Sequence, residues 1–210
     1  RLSLVGSEMC IRDRSLINLN SQNLIPVLGG QFIDDYQLAD LESFSTIFLY
    51  NYRYHQKTKA YNLLQDYVSQ GGNLIWEIAG SLDIEGALPE PAPTTQVRFE
   101  EIRENWGFKT AEKELTSGIN FSSFPPLIYN DGPWRVSLAQ TDSLRPWARK
   151  VLGKNEEWVM LAGKYGEGRI IWTGFNFPYH LAANRNQEEA KFLTKIFDWL
   201  GTKEELPVEY

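Results

Sequence analysis

The near-continuous apolar run Ile47, Phe48, Leu49, Tyr50 within FSTIFLYNY predicts a strand buried on both faces, the pattern of a parallel sheet. Downstream, Ala60, Leu63, Leu64, Tyr67 and Val68 recur at helical spacing, and Gly71-Gly72 supplies a left-handed stop. NLIWEIAG then reads as a second short strand. Strand, helix and strand in this order form a βαβ unit with a right-handed crossover.

Upstream, NLIPVLGG holds a strand around Leu24 to Leu28, followed by a short helix from about Asp35 to Leu41. GALPEPAPTTQ, residues 86–96, is a Pro-rich connection that crosses the surface. VRFEEIRENWGF reads as a helix closed by Gly107, and SFPPLIYNDGPWRVSLAQ as an irregular stretch leading into a strand. Two strand-like runs, Glu157 to Ala162 and Arg169 to Gly174, flank GKYGEG, whose glycines permit a tight hairpin. In NQEEAKFLTKIFDWLG, Ala190, Leu193, Ile196, Phe197 and Leu200 share one helical face, acidic residues occupy the first turn and Gly201 ends it. No internal repeat and no low-complexity tract interrupts the pattern. The expected fold is α/β: a flavodoxin-like, mostly parallel sheet with helices on both faces and a C-terminal β-hairpin.

Composition narrows the function classes. The balance of 21 Lys+Arg against 27 Asp+Glu gives a formal charge of -6, with no basic run, so nucleic acid is not an expected partner. No stretch approaches the roughly 18 to 20 apolar residues of a spanning helix. Strand ends in open α/β sheets gather ligand groups, and three here are polar. The first carries Asn51, Tyr52, Tyr54 and His55, the second Glu77, the third Asn176, Tyr179, His180 and Asn184. Parallel neighbouring strands would bring them together in a pocket suited to a polar small molecule or a glycan.

Each group also has a plain structural reading: His55 as a solvated helix entry, His180 as a ring bonded to a backbone carbonyl. Glu77, inside an apolar strand, must be paired, with Arg53 as one partner, or lie at the open end of the sheet. Trp172 and Trp199 fall in core patterns rather than on a stacking surface. Gly163, Gly166 and Gly168 precede a strand, not a helix, so they form a hairpin and not a phosphate loop. No nucleophile elbow, no His-Glu-x-x-His and no metal-ligand spacing is present; neither cofactor nor metal is expected.

The opening RLSLVGSEMCIRDR, residues 1–14, carries the chain's single cysteine, Cys10. One coding of Leu4 to Asp13, CTC GTG GGC TCG GAG ATG TGT ATA AGA GAC followed by AG, resembles a transposase adapter used in sequencing libraries. The alternative is a natural disordered amino-terminal arm. On the adapter reading, residues 1–14 are non-native, 15–202 form one domain, and 203–210 are a tail. The domain is then cysteine-free, which excludes a cysteine nucleophile, a disulfide framework and a thiolate metal site.

LQDYVSQGGNLIWE resembles the class I glutamine amidotransferase-like superfamily, in which a helix ending in Tyr-Val-x-x-Gly-Gly leads into a buried strand. KYGEGRIIWTGFNFPYH with NQEE downstream is similar, more narrowly, to the amidotransferase-like domain of bacterial multi-spanning membrane proteins related to 6-pyruvoyl-tetrahydropterin synthase. Tyr165, Gly166, Gly168, Asn176, Pro178, Tyr179, His180, Asn186 and Glu188 or Glu189 carry that pattern, with Phe177 where Leu is usual. The likeness spans most of residues 20–200. Amidotransfer needs a cysteine at an elbow to form the thioester, and no such elbow is present.

The resemblance therefore implies a non-catalytic binding or interaction module, the extracytoplasmic part of a bacterial membrane protein concerned with cell-envelope glycans. Membrane association would run only through segments missing from this chain. The candidate ligand-binding residues are Asn51, Tyr54, His55, Glu77, Asn176, Tyr179, His180 and Glu188, with none assigned as catalytic. A carbohydrate hydrolase using Glu77 and a second carboxylate such as Glu188 is one alternative. A purely structural scaffold is the other.

Overall fold

The computed structural model describes residues 2–5, 26–104, 106–127 and 133–201. β1 (Leu2–Val5) pairs in parallel with β2 (Pro26–Leu28) on one side and β3 (Thr46–Leu49) on the other. The short α1 (Leu38–Glu42) lies between β2 and β3 in the chain. α2 (Lys57–Ser69) crosses to β4 (Asn73–Glu77), which lies parallel beside β3. Then come β5 (Gly86–Ala87), β6 (Gln96–Ile102), β7 (Lys109–Thr110) and the one-turn α3 (Lys113–Thr116). β8 (Trp134–Gln140), β9 (Arg149–Lys154), β10 (Glu157–Tyr165) and β11 (Gly168–Thr173) follow. α4 (Phe177–Asn184) and α5 (Gln187–Gly201) complete the described chain.

The sheet has 11 strands in the order β2-β1-β3-β4-β11-β10-β8-β6-β5, with β9 against β10 and β7 against β9. Four ladders are parallel: β1–β2, β1–β3, β3–β4 and β4–β11. Six are antiparallel: β10–β11, β10–β8, β10–β9, β5–β6, β6–β8 and β7–β9. The expected flavodoxin-like, mostly parallel sheet is therefore corrected to a mixed, mostly antiparallel one. Connection length is the reason. A parallel return needs a crossover of about a dozen residues or more, whereas residues 155–156 and 166–167 alone join β9 to β10 and β10 to β11. Asn155 (φ 57°) and Gly166 (φ 58°) open these two turns in the left-handed conformation that tight hairpins require.

A second correction concerns residues 97–107, read from their spacing as a helix. Gln96–Ile102 is a strand paired antiparallel to β8, Arg98 opposite Leu138 and Ile102 opposite Trp134. Its charged side chains pair across the sheet: Arg98 with Glu157 on β10 and Glu101 with Arg135 on β8. Cross-strand pairing outweighs the helical preference of Glu and Arg.

The both-sided burial of the apolar runs sorts the core into two clusters. Ile47, Leu49, Leu74, Trp76, Ile170 and Trp172 face one, with Ala60, Tyr61, Leu64, Tyr67 and Val68 of α2. Phe48, Ile75 and Ile171 alternate onto the other, with Phe192, Leu193, Ile196, Trp199 and Leu200 of α5. Each large apolar side chain so buried contributes about 1.5–3 kcal/mol. Between these layers the carboxyl ends of β3, β4 and β11 open toward the same edge, Leu49 opposite Trp76 and Trp76 opposite Trp172.

β1 falls inside the segment that resembles a translated adapter; Cys10, the rest of that segment and the tail 203–210 lie outside the described residues. No helix among the described residues is long and apolar enough to cross a membrane.

Candidate functional site

Glu77 ends β4 directly beside Thr173 at the end of β11. Its side chain is fully buried and no arginine among the described residues pairs with it; protein donors satisfy it instead. Oε1 accepts from the Ala79 N–H at 2.8 Å, and Oε2 from the Thr173 hydroxyl at 3.0 Å and the Phe177 N–H at 2.9 Å. Burial pushes the carboxyl up to about 7, while these donors and the Asn176 N–H pull the other way. Glu77 thus ties the loop after β4 to the entry of α4.

Asn176 sits at that entry in the left-handed conformation (φ 57°), and its Oδ1 is buried without a hydrogen-bond partner. Asn51, two residues past β3, is also left-handed (φ 49°), its Oδ1 against Gly80, where a β-carbon would lie 3.6 Å away. Asparagine tolerates this backbone better than other non-glycine residues. Asn51, Glu77 and Asn176 are therefore brought to one edge by three adjacent strands.

His180 points elsewhere. On α4, its fully buried ring lies edge-on to Trp134 (4.7 Å between centroids) and near Phe175, within the cluster under α5. Nδ1 is hydrogen-bonded to Oε1 of Glu189, itself fully buried, and Glu189 Oε2 has no partner. Glu188, the neighbouring candidate, faces out, accepting from the Asn120 N–H at 2.7 Å and lying 3.6 Å from Lys191. Asn186 caps α5, its Oδ1 accepting from the Glu188 and Glu189 N–H groups at 3.0 and 3.1 Å. Tyr179 is 43% exposed and packs its ring against Trp134 at 6.0 Å.

His55 is exposed, stacked on Phe32 (4.1 Å, 7°) with Nε2 3.3 Å from Asp35. Beside it the buried Asp34 accepts from the His55 and Gln56 N–H groups at 2.9 and 2.8 Å, so a carboxylate from a distant loop caps α2. Burial raises the Asp34 carboxyl, but these N–H groups outweigh it and hold it below the usual range. The ligand atoms of Asp34, Asp35 and His55 lie within 4.8 Å of one another, a spacing open to a cation. Asp34 is, however, already committed to the positive end of α2, where a cation is disfavoured.

Tyr54 belongs to a cluster that spacing did not reveal. Its hydroxyl, with those of Tyr52 and Tyr61, donates to the buried carboxylate of Asp83, which Lys57 also contacts. Lys57 and Tyr61 stand one helical turn apart just after Tyr52 and Tyr54, a pattern visible in the sequence; Asp83, alone in a loop, gives no cue.

No protein-family model matches the sequence, and no curated protein matches it. Among solved structures, the cytoplasmic protein STM1381 from Salmonella typhimurium LT2 aligns over 96% of this chain and 99% of its own, with TM-score 0.65 and 14% identity. A ThuA-like protein from Bacteroides uniformis aligns over 97% and 91%, with TM-score 0.60 and 8% identity. The mmIFT52 N-terminal domain aligns over 97% and 99%, with TM-score 0.58 and 11% identity. The chain thus shares the mixed α/β fold of these proteins. At such identities the likeness is one of fold alone.

Proposed function

We propose that this domain is a non-catalytic binding or interaction module whose contact edge is formed by the carboxyl ends of β3, β4 and β11. One observation carries the reading: Glu77, the carboxylate at the centre of that edge, is fully buried and saturated by protein donors. It is placed to hold two loops together, not to exchange protons with a substrate. The hydrolase alternative loses support on the same ground, since Glu188 too is engaged, by Asn120 and Lys191. Asn51, Asn176 and Tyr179 remain as contact groups, and their amide and phenol chemistry suits a polar small molecule or a glycan.

The resemblance seen in the sequence adds attachment to a membrane through segments outside this chain, on the extracytoplasmic side. Gene sequence upstream of Ser15 tests that part directly, spanning segments being the expected result. The binding reading is tested by thermal shift against a panel of glycans and envelope precursors. Asn176→Gly is the control, because glycine keeps the left-handed backbone while removing the amide. A ligand that raises the melting temperature of the native chain and not of the variant supports the proposal. A panel without any shift leaves the domain a scaffold, the role in which the sealed His180–Glu189 pair already serves.

A further inference from the structure

Asp83 is 1% exposed, and its carboxylate receives four side-chain donors. The hydroxyls of Tyr52, Tyr54 and Tyr61 reach it at 2.8, 2.9 and 2.9 Å, and Lys57 Nζ at 2.8 Å. The donors stand on firm structure: Tyr52 and Tyr54 on the segment leaving β3, Lys57 and Tyr61 on the first turns of α2. Tyr52 is held in turn by the Trp76 indole N–H at 2.8 Å. Burial above all, then the charge of Asp83 at Tyr52 and Tyr54 and of Tyr52 and Asp83 at Tyr61, keeps the three phenols protonated well past neutrality, so all remain donors.

The acceptor comes from the loop between β4 and β5. Within residues 80–87 Asp83 is the one buried side chain, and Leu82 beside it is 52% exposed. Gly80 and Gly86 bracket the loop; Gly86 is left-handed (φ 100°), with open space where a β-carbon would sit. Besides the carboxylate, the loop is held by the Ser81 N–H and Oγ on Ile78 O, the Asp83 N–H on Ser81 Oγ, Ile84 O on Ser137 Oγ and, at its end, the pairing of β5 with β6 and Ala87 O on Lys57 Nζ. Three neutral O–H donors and one ammonium converging on a single carboxylate form the donor set that recognises a carboxylate ligand.

We propose that Tyr52, Tyr54, Lys57 and Tyr61 form a carboxylate-binding cradle, that Asp83 occupies it as an internal ligand, and that an external carboxylate takes its place when loop 80–85 moves out. This deepens the binding-module reading and rests on it: the ligand is acidic, a free carboxylate or that of an acidic sugar.

The test empties the cradle. The Asp83→Ala variant of the full chain is melted in formate, in inorganic phosphate and in chloride at matched ionic strength. Formate at about ten times its dissociation constant is expected to raise the variant's melting temperature by about 3–6 °C, saturably. Adding Tyr54→Phe and Lys57→Met is expected to abolish that rise. A formate curve that coincides with chloride, or a phosphate rescue equal to that of formate, overturns the proposal. If Asp83→Ala does not fold in chloride, refolding from urea with formate is the readout, and an unchanged folded yield overturns it. Glucuronate against acetate on the native chain separates acidic sugar from simple acid, tighter glucuronate binding favouring the former. Formate rescue with no response to the glycan panel refutes the edge of Asn51 and Asn176 while sparing the cradle; a glycan response without formate rescue does the reverse.

Discussion

Replacing Glu77 by glutamine probes the sealed carboxylate at the strand ends. The native carboxyl titrates at about 7, against an ordinary value of 4.5. Because the folded value is raised, the folded chain holds a proton that the unfolded chain has released between those two pH values. Stability from this group is therefore fully present below about 4.5 and is lost as pH rises through 7. At 1.36 kcal/mol per pH unit, the loss amounts to about 3 kcal/mol for a fully buried group. Glutamine carries no charge and removes that slope. It also turns an amide NH₂ toward donors, either the Ala79 N–H or the Thr173 hydroxyl and Phe177 N–H, at a cost of about 1–3 kcal/mol at every pH. Glu77→Gln is thus expected to be less stable than the native chain at pH 5 and level with it, or above it, at pH 8. Urea melts of both proteins across pH 5–8 check this, since every other titrating group cancels in the difference. Parallel curves over that range would show that Glu77 keeps its charge in the fold and would refute the reasoning.

Gly168→Ala should cost more than 3 kcal/mol or prevent folding, since the new methyl would lie 2.1 Å from Gly72 O and 2.4 Å from Val68 O, both rigid backbone; a near-native melt would disprove the packing of β11 on α2. Asp34→Ala should remove the remote cap of α2 and destabilise by about 1–2 kcal/mol in urea. Its folded carboxyl is depressed, so the difference from the native chain should be present above the ordinary carboxylate range and vanish as pH falls through the folded value. Glu189→Ala, which strips the acceptor from a fully buried histidine, should cost about 3–5 kcal/mol. Coupling it with His180→Phe should recover part of that loss in a double-mutant cycle, and strict additivity would argue against the pair.

Legibility differed between elements for physical reasons. The apolar runs Ile47 to Tyr50 and Leu74 to Trp76 mark strands covered on both faces, and the structure sorts their side chains alternately into the two clusters. The spacing along residues 57–69 and 187–201 marks the helices that cover those faces. Apart from the hairpin that the glycines of GKYGEG signalled between β10 and β11, strand direction was not legible, because periodicity carries no sign. It is fixed by turn length, and the left-handed Asn155 and Gly166 close turns too short for a crossover. Residues 96–102 misled because Glu and Arg favour a helix until partners such as Glu157 and Arg135 are near.

The candidate site divides in the same way. Asn51, Glu77 and Asn176 could be grouped in advance because each follows a strand, and strands carry their ends to a common edge. His180 shares a segment with Asn176, yet one helical turn swings its ring into the opposite core, to Glu189 and not Glu188. In a capped helix adjacent carboxylates face different directions, one toward the core and one toward water. Asp83 lies 22 to 31 residues from the tyrosines it joins, so only the folded chain reveals the pairing. What the sequence does display is the donor side, Tyr52, Tyr54, Lys57 and Tyr61 within ten positions. A run of phenols and an ammonium at a strand-to-helix junction, with no acid nearby, implies an acceptor delivered from elsewhere. Here a loop of this chain delivers it, and the formate experiment asks whether another molecule can.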